Sequence, residues 1–193
     1  MSLPSPEQVN ELIRTRRSIY TQQFEPGRVI PDDIIWQLLE NASYAPTHKR
    51  TEPWHFVVFS GAGLQKLADF QADLYERTAG PRYNAGKHEK LRESPLRASH
   101  VIALGLKRHE GLPEIEEVEA VACAVQNLAL SAHAYGLGGY WGSGGITYTD
   151  EAKAFFGLGP ADKLLGFFVL GYPRTEAPEG KRTPVQEKTQ WVK

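Results

Sequence analysis

The longest helical stretch, Glu114 to Tyr135, sets the strongest condition on the fold. Its centre, Ala120-Val121-Ala122-Cys123-Ala124-Val125, is small and apolar nearly all round, the pattern of a helix buried on every side. Such a helix needs a partner surface, and a twofold contact with a second copy is the commonest answer. On this reading Cys123 is a core residue, not a nucleophile. Gly136, Gly138 and Gly139 stop the helix, and Tyr140-Trp141 begins a strand or turn.

Around this helix the chain alternates helical and short apolar segments. Ser5-Pro6-Glu7-Gln8 carries the Ser cap, early Pro and Gln of a helix start, and Val9, Leu12 and Ile13 form one stripe behind it. A second helix begins near Pro31-Asp32-Asp33, shows Ile34, Ile35, Leu38 and Leu39, and ends before Pro46. His55 to Phe59 reads as a buried strand closed by the turn Ser60-Gly61-Ala62-Gly63, with a helix from about Leu64 to Arg77. Val101–Leu106 and Lys163–Leu170 are further strands, and Asp150–Phe156 is a short helix ending at Gly157. Residues 79–95 are polar and rich in breakers, which predicts a loop and a mobile lid. Residues 173–193 read as an extended tail. The whole, 1–193, is expected to be one α+β domain, a sheet flanked by helices.

Composition narrows the function. Net charge is −1 and the pI about 6.6, so no global field recruits nucleic acid or an anionic membrane. The apolar runs HFVVF, VIALGL and LLGFFVLG are too short to span a bilayer, and MSLPSPEQ lacks the pattern of a signal peptide. Cys123 is the only cysteine, so no intrachain disulfide forms; a reducing, cytoplasmic setting is expected. There is no Gly-x-Ser-x-Gly elbow and no metal-ligand spacing around His48 and His55. The acid pairs Asp32-Asp33 and Glu116-Glu117 sit where helix N-termini favour negative charge.

Three segments carry polar groups in unusual company. Arg16-Arg17-Ser18 closes the first helix, and Arg16, seven residues after Val9, falls on the apolar stripe. An inward guanidinium asks for an anion, and a phosphate fits it, with the Ser hydroxyl as a further donor. The same arginines also suit a helix C-terminus on dipole grounds alone. The second segment, Ala45 to Trp54, brackets His48 and Lys49 between two prolines ahead of a strand, either a ligand loop or a solvated turn. The third, Gly136 to Gly145, holds six glycines that expose backbone N–H groups to a flat ligand. It is neither a P-loop nor a dinucleotide fingerprint, since Trp141 stands where the third glycine belongs.

Taken in order, Arg-Arg-Ser, Ala-Pro-x-His-Lys with Pro-Trp-His-Phe-Val-Val, and an Ala-rich helix with Gln126-Asn127-Leu128 running into Gly-Leu-Gly and Tyr-Trp resemble the nitroreductase superfamily, most closely its small bacterial YdjA-type members. The resemblance implies an interlocked homodimer with an FMN at each of two shared sites. It implies that Arg16, Arg17 and Ser18 hold phosphate and ribityl oxygens, joined by Lys181 and Arg182 from the tail. Tyr44 and His48 would approach from the partner, and Trp141, Gly142 and Ser143 would lie beside the flavin ring. Ala132, His133, Ala134, Tyr135, Gly136 and Leu137 match a region associated with NAD(P)H binding. Relatives of this size tend to carry a bulky basic or polar residue where Gly142 stands, and Tyr44 replaces what can be an arginine. The implied activity is electron transfer from NAD(P)H through FMN to a small acceptor such as a nitroaromatic, quinone or enone, by a ping-pong route. A non-catalytic FMN-binding carrier or sensor, or a cofactor-free interaction protein, are the competing readings.

Overall fold

The computed structural model describes residues 3–193. Four strands, β1 (Trp54–Ser60), β2 (His100–Leu106), β3 (Gly138–Gly142) and β4 (Lys163–Gly171), form one sheet in the order β1-β2-β4-β3, with every neighbouring pair antiparallel. Alternation along the strands divides the core in two. Val101, Ala103, Phe167 and Val169 pack with α3 (Ala62–Ala79) on one face. Ile102, Leu104, Leu106, Phe168 and Leu170 pack with α2 (Asp32–Ser43) and α5 (Glu114–Ala134) on the other. This is the expected α+β arrangement, an antiparallel sheet flanked by helices.

Local chemistry explains the element ends. Ser5 and Gln8 cap α1 (Pro6–Thr15) reciprocally, Ser5 Oγ accepting from Gln8 N at 3.3 Å and Gln8 Oε1 from Ser5 N at 2.8 Å. Gly136, at φ 70°, closes α5, and Leu137 N–H donates back to Ala132 O at 2.9 Å. The loop before α2 is tied to β2 by Ser99, whose Oγ accepts from Ile30 N at 2.8 Å and lies 2.9 Å from His100 Nδ1.

Several expectations are corrected. Residues 79–95 are helical for most of their length: α3 runs to Ala79 and α4 spans Ala85–Glu93. Asn84 accepts from Lys87 N at 2.8 Å and so starts α4 despite the neighbouring breakers. The segment 150–156 is a 3₁₀ helix ended by Gly157. Helix α5 is covered on one face only, through Ala120, Val121, Ala124, Val125, Leu128 and Ala132, and Cys123 is exposed. Small residues all round fit burial by the chain's own core or by a second surface, and periodicity does not distinguish the two. Helix α1 buries nothing; Val9 and Ile13 on its stripe are exposed.

Glu117, on the buried face of α5, is more than a dipole charge. It is 1% exposed and pairs with Arg108 and with His109 Nδ1, the latter at 2.7 Å. Removing one member of a buried pair strands the other charge. Glu117→Ala is therefore expected to lower unfolding free energy by roughly 3 kcal/mol in urea titration. Glu114→Ala, which breaks a half-exposed pair with Lys163, should cost under about 1 kcal/mol.

Candidate functional site

Helix α1 ends at Thr15, and Arg16 leaves it with φ −58° and ψ 131°. The seven-residue spacing therefore does not set Arg16 on a buried stripe; another neighbour half-buries it. The chain continues beside β3, where Ser18 bridges to Gly139 and Ile19 N–H donates to Gly139 O at 3.1 Å. The approach is close: a Cβ on Gly138 would stand 2.9 Å from Ile19 Cβ. The tail crosses here as well. Arg17 donates through Nε to Pro178 O at 3.1 Å and through Nη1 to Arg16 O at 2.7 Å, and Gly180 lies flat against its guanidinium.

Arg16, Arg17, Arg182 and His133 thus converge. Burial first, then Arg17 and Arg182, pull the Arg16 pKa below its ordinary value. Burial first, then Arg16 and Arg17, do the same to His133, whose Nε2 lies 2.8 Å from Thr15 Oγ1. Among the described residues, no carboxylate comes within 4.0 Å of any of the three arginines. Neighbouring Lys181 offers its backbone carbonyl to Arg182. A cluster of cations that weaken one another's protonation is complementary to an anion with several acceptor oxygens.

Strand β3 leads away from this cluster. Four residue steps, on the order of 13 Å, separate Gly138 from Gly142, where a second feature opens. A cavity of about 320 Å³ lies on the sheet face between Val101, Phe167, Val169 and Tyr140 on one side and Gln71, Lys87, Lys90 and Leu91 on the other, rimmed by Gly142, Gly144 and Gly145. Tyr140 is set against Tyr20, ring centroids 4.7 Å apart; burial, and then Tyr20, raise its pKa. Lys87 Nζ rests 4.6 Å from the Tyr75 ring centroid. The arginine cluster fits a phosphate and the cavity fits a flat ring, one at each end of the same strand.

The expected site residues divide accordingly. Arg16, Arg17, Ser18, Lys181 and Arg182 gather at one end, and Gly142 lines the other. Trp141 points to the opposite side of β3, its Nε1–H donating to Leu165 O at 2.9 Å, and Ser143 is exposed beyond the strand. Ala132 is buried in the core on the α5 side. His133, Gly136 and Leu137 border a cavity of about 540 Å³ beside Arg17, at the cationic end and not at the glycine turn, while Ala134 and Tyr135 face a groove with Tyr44. Within one chain Tyr44 and His48 reach neither end; His48 Nδ1 lies 3.1 Å from Glu116 Oε2. The turn after His48 holds Lys49, Arg50 and Glu52 at positive φ, a conformation that side chains resist.

Sequence reasoning missed Tyr20, Gln71, Lys87, Lys90 and Tyr140. Lys87 and Lys90 belonged to the supposed loop. The signal for Gln71 was present: a polar residue amid Leu64, Leu67, Ala68, Leu74 and Tyr75 on the buried stripe of α3.

Fold and site together define a class: an α+β protein with one antiparallel sheet, an anion cradle at one end of its edge strand and a ring-sized cavity at the other. The family described as "Nitroreductase family" matches residues 13–172, and the chain belongs to it. It is similar to two curated relatives of like length. One is the Bacillus subtilis protein named "Putative NAD(P)H nitroreductase YfhC", 32% identical over 96% of this chain and 98% of that one. The other is the like-named YdjA of Escherichia coli K12, 31% identical over 90% and 93%. Among solved structures, a nitroreductase-like family protein from Bacillus cereus superposes with a TM-score of 0.84 at 27% identity, covering 100% of this chain and 98% of that one. The FMN-dependent nitroreductase NfnB from Mycobacterium smegmatis, solved with NADPH, shares the fold at TM-score 0.75 and 21% identity over 97% and 99%.

The depressed histidines make the structure acid-sensitive. Burial, opposed by Asp32, holds His100 below the ordinary 6.5, and His133 is lowered as described. Such a group stabilises the fold above 6.5, and that contribution is lost as pH falls through the folded value. Urea titrations should show stability declining as pH drops below the ordinary value. Arg16→Ala should move the His133 ring titration, read by NMR, upward; an unmoved titration would refute the cationic contact.

Proposed function

We propose that this chain is an FMN-dependent oxidoreductase that takes electrons from NADH or NADPH to a small acceptor and works as a homodimer. The observation that carries the reading is the cluster of Arg16, Arg17 and Arg182, with no carboxylate within 4.0 Å among the described residues. Family membership, and the NAD(P)H and FMN in the names of the relatives, supply the rest. FMN, when bound, would supply the redox chemistry that links NADH or NADPH to a nitroaromatic, quinone or enone.

The chain's own residues position and stabilise. Arg16 and Arg182 hold the phosphate with free guanidinium donors, and the Ser18 hydroxyl adds another. Arg17, its donors spent on carbonyls, anchors the tail that brings Arg182 in. Gly142 and Gly144 rim the cavity, where their backbone N–H groups would be available to the ring edge, and Lys87 and Lys90 add positive potential there. No side-chain nucleophile is needed. Donor and acceptor use the same open cavity in turn, which makes the kinetics ping-pong. Residues 132–137, beside Arg17, suit the anionic part of the dinucleotide.

The homodimer follows from uncovered apolar surface. Val9 and Ile13 on α1, the Cys123 face of α5, Trp191 and Val192 are all exposed in the single chain. A twofold contact covers them, and Tyr44 and His48 then reach the partner's ring. The single cysteine, already exposed, suits a reducing cytoplasm.

Purified protein should be yellow, oxidise NADH or NADPH with a quinone or nitroaromatic in parallel-line kinetics, and scatter light as a dimer. Arg16→Ala should weaken FMN binding by about 10- to 100-fold, the loss of one charge-assisted contact. Undiminished FMN affinity in that variant overturns the reading.

A further inference from the structure

One polar group in the sheet-face cavity has no use inside the chain. Gln71 sits on the apolar stripe of α3 among Leu67, Ala68, Leu74 and Tyr75, and only 6% of it is exposed. Its side-chain amide makes no hydrogen bond to any described residue. It lines the cavity, with Oε1 4.0 Å from the point where a Cβ on Gly145 would stand. The amide opens on the cavity and not on a partner within the chain, so a leucine here would lose no hydrogen bond.

The surroundings say what the amide faces. Val101, Phe167, Val169, Leu91 and Tyr140 make apolar walls suited to the faces of a planar ring. Lys87 and Lys90, one turn apart on α4, line the same space with no carboxylate within 4.0 Å among the described residues. A glutamine amide offers a donor and an acceptor side by side, the complement of another amide or an imide.

We propose that Gln71 is a specificity-determining residue that pairs with the amide or imide edge of a planar ring held in this cavity, while Lys87 and Lys90 select a ligand with negative charge nearby. Two groups in the proposed reaction carry that edge, the pyrimidine ring of the flavin and the carboxamide of the nicotinamide. The assignment rests on the flavoprotein reading above.

The test compares wild type with Gln71→Leu in three measurements. These are the melting temperature without flavin, the FMN dissociation constant by fluorescence quenching, and the KM for NADH and NADPH of the FMN-loaded dimer. The flavin-free variant should melt at the wild-type temperature or above, because leucine gives up no hydrogen bond within the chain and adds apolar contact. If the amide meets the flavin, the FMN dissociation constant rises about tenfold. If it meets the nicotinamide, KM rises by a similar factor at unchanged FMN affinity. A flavin-free variant that melts lower, with both constants within twofold of wild type, makes Gln71 a structural residue and overturns the proposal alone. Wild-type protein that binds no FMN overturns the functional reading and this inference with it.

Discussion

The rest of the site depends on one electrostatic constraint: the fold gathers Arg16, Arg17, Arg182 and His133 at one place with no carboxylate within 4.0 Å of the arginines among the described residues, although Glu176 and Glu179 line the adjoining cavity. Burial first, and the neighbouring cations second, pull both Arg16 and His133 toward their neutral forms. Like charges converge at a net cost unless a counter-charge joins them. The backbone nevertheless enforces the meeting. Arg16–Ile19 is laid along β3, the tail is pinned by Arg17, and α5 ends beside them at His133. Around β2 and the start of α5, by contrast, cations do meet acids: Arg108 and His109 with Glu117, Lys107 with Asp162, Lys163 with Glu114. What sets the cluster apart is the closeness of its cations to one another, which an anion with several acceptor oxygens would offset.

The sheet turns that point of charge into a longer site. Its two faces are unequal. The face toward α2 and α5 is closed by large side chains such as Phe168, Leu104 and Leu128, while the face toward α3 leaves a cavity where α4 arches over Val101, Phe167 and Val169. Strand β3, at the edge of the sheet, joins the cavity to the cationic end. Helix α1 and the outer face of α5 stay without cover in the single chain, the apolar surface on which the proposed homodimer rests.

What was legible in the sequence follows the range of each interaction. Strands β2 and β4 were readable because their burial is written in consecutive residues, and α1 because its cap is local; β1 was readable as a strand, but it is half-buried with Val58 exposed, not a buried strand. Helix α4 was not, since Ala85–Glu93 has no apolar stripe and depends on Asn84 and on Tyr75, which accepts from Asn84 N and donates to Arg82 O. The meeting of Arg17 with Pro178 and Gly180 spans nearly the whole chain, and only the family likeness pointed to Lys181 and Arg182 beforehand. The small-residue centre of α5 reads as buried on all sides, whereas the chain's own core covers one face of it and leaves Cys123 exposed, because small side chains pack equally well on either face. Gln71 was passed over because a single glutamine in an amphipathic helix ordinarily faces water.

The glycine at 142, where relatives of this size tend to carry a bulky basic or polar residue, has a physical reason in this chain. A Cβ there would stand 3.0 Å from Tyr140 Cε2 and 3.2 Å from its hydroxyl, so Tyr140 fills the space the larger side chain would need. Tyr140 is in turn braced by Tyr20, from the segment that carries Arg16–Ser18 along the strand. Across the sheet, Gly166 holds φ at 129°, and a Cβ on it would collide with Gly142 O and Trp141 Nε1. Gly166 therefore lets Trp141 dock on Leu165 and sets the course of the backbone at Gly142. Tyr140, Trp141, Gly142 and Gly166 form one interdependent set. A side chain restored at 142 alone would displace Tyr140 into the cavity, so enlarging that position narrows the space for a ring instead of adding a contact to it.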